Sequence, residues 1–127
     1  MNEPVFLTTD LVEIFHRRAL ELFGGMDGLR DRSALDGAVT QALNVYWYEQ
    51  GDLFDIAGAF CFHIAQAQAF LDGNKRTAVV AALAFLRLNG VDTCPELTRP
   101  LHQAMLDVAK HRLDRIGLAA LLRQLLG

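Results

Sequence analysis

Apolar residues recur at helical spacing along most of the chain. Leu11, Ile14, Phe15, Ala19, Leu22 and Phe23 mark one face of a first helix. Thr8 is placed to cap it, and Asp10 in its first turn suits the positive end of the helix dipole. Gly24-Gly25 stop it, and residues 26–32 read as a loop. Before it, Pro4-Val5-Phe6-Leu7 read as a short extended segment. Ser33, with Asp36 three residues on, resembles a capping box, and Ala34, Leu35, Ala38, Val39 and Ala42 continue as a second amphipathic helix. Residues 44–51 hold Tyr46-Trp47-Tyr48 between polar ends and are expected to form a loop or small hairpin. Its aromatics would pack on the core edge or act as a flap that docks a substrate.

Asp52 opens a third helix, with Asp55 three residues later. Leu53, Phe54, Ile56, Ala57, Phe60, Cys61, Ile64 and Ala67 leave it apolar nearly all round, which predicts a helix at the centre of its domain. A polar turn, Asp72-Gly73-Asn74, separates it from a fourth helix carrying Val79, Val80, Ala82, Leu83, Phe85 and Leu86. Asn89-Gly90 reads as a left-handed cap of that helix. A loop over 91–97 contains Pro95. A fifth helix follows over roughly 99–111, and Asp114 caps a last one ending near Leu126. No stretch alternates convincingly as a strand. The expected fold class is all-α, a compact bundle of about six helices in one domain over residues 1–127.

Composition narrows the function. Hydrophobic residues make up 52% and charged residues 21% of 127, a globular balance. The net charge of -3 argues against a nucleic-acid binder, which would normally show a basic face. No apolar run is long enough to span a membrane, and the start lacks the basic and apolar regions of a signal peptide. Cys61 and Cys94 form no metal-like spacing, so reduced thiols in the cytoplasm are expected.

The chemistry concentrates in the turn before the fourth helix. That helix opens with Lys75 and Arg76, the wrong sign for an end already carrying about +0.5 elementary charge. Free N–H groups, two cations and Gly73, which lets backbone approach closely, make an anion site. The plainer alternative is a turn whose basic side chains point into water. Arg76 can fork onto phosphate oxygens, and Lys75 acts as a mobile point charge. Asp72, beside the site, suits Mg²⁺, which bridges a carboxylate to phosphates. Phe70 would anchor the turn in the core. The chain has no Gly-rich Walker loop, which excludes a P-loop ATPase.

Residues 69–77, Ala-Phe-Leu-Asp-Gly-Asn-Lys-Arg-Thr, resemble the signature of the Fic/Doc family, and specifically its death-on-curing (Doc) branch. That signature reads His-x-Phe-x-Asp/Glu-Gly/Ala-Asn-Lys/Gly-Arg. Gly24-Gly25, Gly28-Leu29-Arg30-Asp31, Leu53-Phe54 and Phe85-Leu86-Arg87-Leu88-Asn89-Gly90 also resemble the Doc pattern, so the likeness covers roughly residues 5–125. It implies a helical bundle with the motif between two central helices. It further implies a toxin of a toxin–antitoxin module that uses ATP and Mg²⁺ to move a phosphoryl group to a threonine of elongation factor Tu. Transfer of AMP to a protein hydroxyl, common among Fic proteins, is the alternative. A second arginine of AMP-transferring members would fall at Val79, which disfavours it here. By the same resemblance Asp72 would hold Mg²⁺, while Gly73, Asn74, Lys75 and Arg76 would hold the nucleotide phosphates.

One residue departs from the signature. The family's catalytic histidine falls at Gln68. Glutamine has no group that titrates near neutral pH and cannot take a proton from a hydroxyl. General-base catalysis contributes about 10²–10⁴-fold, so impaired transfer is expected. A catalytically inactive nucleotide- or protein-binding module is the further alternative. His63 lies about 140° round the helix and about 7.5 Å along it from position 68, too far to substitute. His16, His102 and His111 have no metal-ligand spacing. No inhibitory Ser/Thr-x-x-x-Glu-Gly/Asn motif occurs: Thr9 and Glu13 are followed by Ile14. The resemblance thus implies a separate antitoxin whose disordered or helical tail docks in a groove. The apolar faces that could form such a groove could equally be core or a homodimer face.

Overall fold

The computed structural model describes residues 3–127. Six α-helices follow in order: α1 Thr9–Phe23, α2 Arg32–Glu49, α3 Leu53–Ala67, α4 Asn74–Leu88, α5 Thr98–Ala109 and α6 Arg115–Leu126, with a single 3-10 turn, Pro95–Leu97, before α5. Among the described residues there is no strand longer than one isolated bridge, between Leu29 and Phe70. The all-α expectation holds.

Hydrophobicity places α3 in the middle. It packs on α2, α4 and α6, and α4 in turn carries α1 and α5. Ile56, Ala57, Ala59 and Phe60 of α3 meet Ala78, Val79, Ala82 and Phe85 of α4, all fully buried. The Phe60 and Phe85 rings lie 5.3 Å apart. Small residues let the backbones close in. A Cβ on Gly58 would stand 2.8 Å from both the Ala119 amide nitrogen and the Arg115 carbonyl oxygen, so α6 sits directly on the α3 backbone.

Local signals set most helix ends. The Thr8 side chain accepts from Leu11 N–H at the start of α1, and Gly24 closes that helix at φ 78°. Asp52 and Asp55 form a reciprocal capping box at α3. Asp114 caps α6 through Gly117 N–H. Asn89 closes α4 with Gly90 beyond it at φ 88°. The Asn89 side chain also exchanges bonds of 2.7 and 2.9 Å with the Val5 backbone, which fixes the extended residues before α1 against the end of α4.

Two expectations fail. The cap of α2 is Asp31, whose carboxylate accepts from Ala34 N–H; Ser33 is already inside the helix. The loop or hairpin expected over 44–51 does not form either, because α2 continues through Glu49. Its buried positions Leu35, Ala38, Ala42 and Val45 keep the helical interval through the aromatic cluster. Tyr46 and Trp47 are held there by Phe6, with ring centres 5.3 and 6.4 Å away. Tertiary contact overrides the weak helix propensity of aromatics. No described helix is long and apolar enough to cross a membrane.

Candidate functional site

The site is the turn joining the two central helices. α3 ends at Gln68, whose backbone is left-handed at φ 47°, ψ 44°. Ala69 and Phe70 then dive into the core, 1% and 2% exposed, and drag the chain back beneath the bundle surface. Asn74 staples the turn with its side-chain amide, accepting from Phe70 N–H and donating to Phe70 C=O, each at 3.0 Å. Gly73 takes the N-cap position of α4 at φ 77°, a conformation that would strain any residue with a Cβ.

That cap leaves the helix end open. α1, α2, α3 and α6 each begin with a side chain that accepts from their first turn; α4 and α5 begin with none, and of these two α4 opens on the motif turn. Its first backbone bond from outside the helix runs from Thr77 N–H to Gly73 C=O, so the amides of Asn74, Lys75 and Arg76 precede it. Lys75 and Arg76 project from the same turn, both exposed. Neither joins a salt bridge among the described residues. The Arg76 guanidinium lies 4.2 Å from the centre of the Phe23 ring, which holds it at the mouth of the turn without neutralising it. Burial, and then the charge of Arg76, hold the His102 imidazole on α5 below its usual range.

An open cavity of about 380 Å³ is lined by Gln68, Leu71, Asp72, Gly73, Asn74, Lys75 and Arg76. Gln68, Asp72, Gly73, Asn74, Lys75 and Arg76, the candidate site residues read from the sequence, thus line one space, with Phe70 buried beneath it. Asp72 is fixed by backbone amides: one carboxylate oxygen accepts from Gly73 N–H at 2.9 Å, the other from Met26 N–H at 3.1 Å. Among the described residues no group of three or more His, Cys, Asp or Glu gathers as metal ligands. A cation at Asp72 would therefore have one protein carboxylate and take its other oxygens from phosphates and water, the usual habit of Mg²⁺.

Sequence reasoning missed what supports the turn. His16, in the middle of α1, is 2% exposed; its ring stacks on Phe70 at 3.8 Å, nearly parallel, and Nε2 lies 2.8 Å from Asp72 C=O. A lone histidine among the apolar positions of a helix gives no sign of that partnership. The sequence of the α1–α2 loop, Gly28-Leu29-Arg30-Asp31 included, does not show what the loop supports. The loop runs beside the turn as a short antiparallel edge. Leu71 N–H donates to Gly28 C=O, and Ala69 C=O accepts from both Arg30 and Asp31 N–H. His63 sits on the α2–α3 groove with Ala34, Gly37, Gln41 and Gln66, apart from the residues that line the turn cavity. Burial, and then Arg115, lower its basicity.

Comparison with known proteins agrees with this architecture. A profile of the Fic/DOC family matches residues 6–86, which takes in α1 to α3, most of α4 and the whole turn. "Protein kinase doc" of Escherichia phage P1 is 34% identical over 85 residues, covering 65% of this chain and 68% of that protein. "Toxin Doc" of Mycolicibacterium smegmatis (strain ATCC 700084 / mc(2)155) is 44% identical over 71 residues, covering 54% of this chain and 55% of that protein. The alignment therefore spans little more than half of the mycobacterial relative. With the motif turn seated between two central helices and the profile running across both, the chain belongs to the Fic/DOC family.

Proposed function

We propose that this protein is a Doc-like toxin whose turn cavity takes Mg-ATP and supports transfer of the γ-phosphoryl group to a hydroxyl of a translation factor of the elongation factor Tu type. The observation that carries the reading is the open, uncapped start of α4, with Lys75 and Arg76 unneutralised and Asp72 fixed at its rim. The donor set fits the group. Backbone amides of Asn74 and Lys75, the Lys75 ammonium and the Arg76 fork suit phosphate oxygens. Asp72 suits Mg²⁺. When bound, Mg-ATP supplies the phosphoryl group and an electrophilic phosphorus.

The protein's own residues then position and neutralise, which is most of phosphoryl-transfer catalysis. Arg76, braced on Phe23, spreads positive charge over the phosphates. Asn74 locks the turn so that its amides keep their direction. Gln68 lines the cavity where the family places its base, and can orient a hydroxyl by a hydrogen bond but not accept its proton. Gln68 favours a second reading, a nucleotide-binding module whose transfer step is lost. AMP transfer is the less supported chemistry, because Val79 is fully buried in the core and offers no second cation. A cytoplasmic setting and a separate antitoxin belong to the same proposal; the relative named "Toxin Doc" supports its toxin part alone.

The test is label transfer to purified elongation factor Tu from γ- and from α-labelled ATP, with this chain and with Gln68→His. The kinase reading expects γ-label alone, raised about 10²–10⁴-fold by the histidine. α-Label would indicate AMP transfer. No label from the histidine form, with nucleotide still bound, would leave the binding module.

A further inference from the structure

We infer that Arg30 is a positioning residue for the side chain at position 68: it holds Gln68, the cap that follows α3, left-handed and so aims that side chain into the phosphate cavity. The strain is local and visible. Only three non-glycine residues among those described have positive φ, and Gln68, at 47°, is the one beside the candidate site. Such a conformation is strained for a residue with a Cβ and persists where neighbours over-determine it. The C-caps of α1, α2, α4, α5 and α6 each donate their N–H back into their own helix. α3 has no such bond among its described cap contacts. Its end is held from outside, by Arg30.

Arg30 grips two successive carbonyls. Its Nη2 donates to Gln68 C=O at 2.6 Å, and its own backbone N–H donates to Ala69 C=O at 2.7 Å. The guanidinium joins no salt bridge among the described residues, so the carbonyl is its recorded partner. Around it, Asp31 N–H also reaches Ala69 C=O, Leu71 N–H reaches Gly28 C=O, and Met26 N–H reaches the Asp72 carboxylate. The α1–α2 loop therefore sets the course of residues 69–72 through backbone groups. Position 68 is held by a side chain alone, so it is the one point of the edge that a substitution can release without touching the rest. Charge adds to geometry, because a cation at the carboxyl end of α3 meets the negative end of its dipole.

The kinetic part of this inference rests on the kinase reading above; the structural part does not. Two measurements separate them. In the native chain, Cα and Cβ chemical shifts of Gln68 report its backbone conformation directly. Arg30→Ala is expected to move them out of the left-handed range while signals from Ala57 to Ala65 stay in place, and Arg30→Lys, which keeps a donor, is expected to retain most of the native shift. Unchanged Gln68 shifts in Arg30→Ala would overturn the inference. In the Gln68→His form, adding Arg30→Ala is expected to lower kcat for γ-phosphoryl transfer about tenfold to a hundredfold, the scale of a misplaced catalytic group, with nucleotide affinity changed less than about twofold. An equal loss of nucleotide affinity and rate would mean that Arg30 merely supports the turn as a whole, and would also overturn it. If Gln68→His transfers no phosphate, the kinase reading falls and the chemical shifts still decide the role of Arg30.

Discussion

Arg76 occupies an unusual position for a cation. It stands in the first turn of a helix, where the dipole repels it, yet among the described residues no carboxylate pairs with it and an aromatic ring supports it instead. A residue kept charged and unneutralised in such a place is suited to an anionic visitor. His102 offers a reporter. Its imidazole is held below 6.5 by burial and by the charge of Arg76. A phosphate at Arg76 cancels the second influence, which had disfavoured the imidazolium. The His102 pKa should therefore rise towards its usual value when ATP and Mg²⁺ are added, and the rise should vanish in Arg76→Ala. A pH titration of its ring signals by nuclear magnetic resonance measures both. At this scale the sequence was informative about polar residues and poor about their supports. Asp72, Lys75 and Arg76 declared themselves by charge in a turn. His16 and Arg30 did not, because their partners are main-chain carbonyls 56 and 38 residues away. A carbonyl has no residue type, so no pattern of side chains announces it.

Among the elements, α3 and α4 carry the site because packing holds them on several sides. The turn between them therefore inherits a fixed frame. The close seat of α6 on α3 is part of that frame and makes a sharp prediction. Gly58→Ala would ordinarily stabilise a helix by about 1 kcal/mol. Here the new methyl meets backbone of Arg115 and Ala119 at 2.8 Å, and backbone cannot swing aside. The net effect should be a loss of about 1–3 kcal/mol, the cost of an overpacked core, measured by urea unfolding. Stabilisation would mean that α6 does not sit where described. Element boundaries were legible where a cap was chemical, as at Thr8, Asp52 and Asp114. They failed at α2 because Ser33 with Asp36 mimics a capping box two residues after the true cap, Asp31, and because three successive aromatics looked like a break. The helix instead continued, stabilised by Phe6 from a distant part of the chain, a contact that periodicity alone does not contain.

At the scale of the molecule, the net charge is negative while the one uncapped helix start facing the motif cavity is positive. The proposed anion preference would therefore be a property of one place and not of the surface at large. This separates the proposed nucleotide site from general polyanion binding, which draws on charge spread over a face. Family membership, the all-α fold and the shared cavity all bear on that place. The most direct measurement is calorimetric titration of ATP with Mg²⁺ into the native chain and into the Lys75→Ala, Arg76→Ala double variant, with folding of both checked by circular dichroism. The native chain, Gln68 included, should bind one nucleotide, and the double variant should bind at least about tenfold more weakly, a loss of about 1.4 kcal/mol. Equal affinity in the two proteins, or no binding to the native chain, would contradict the account.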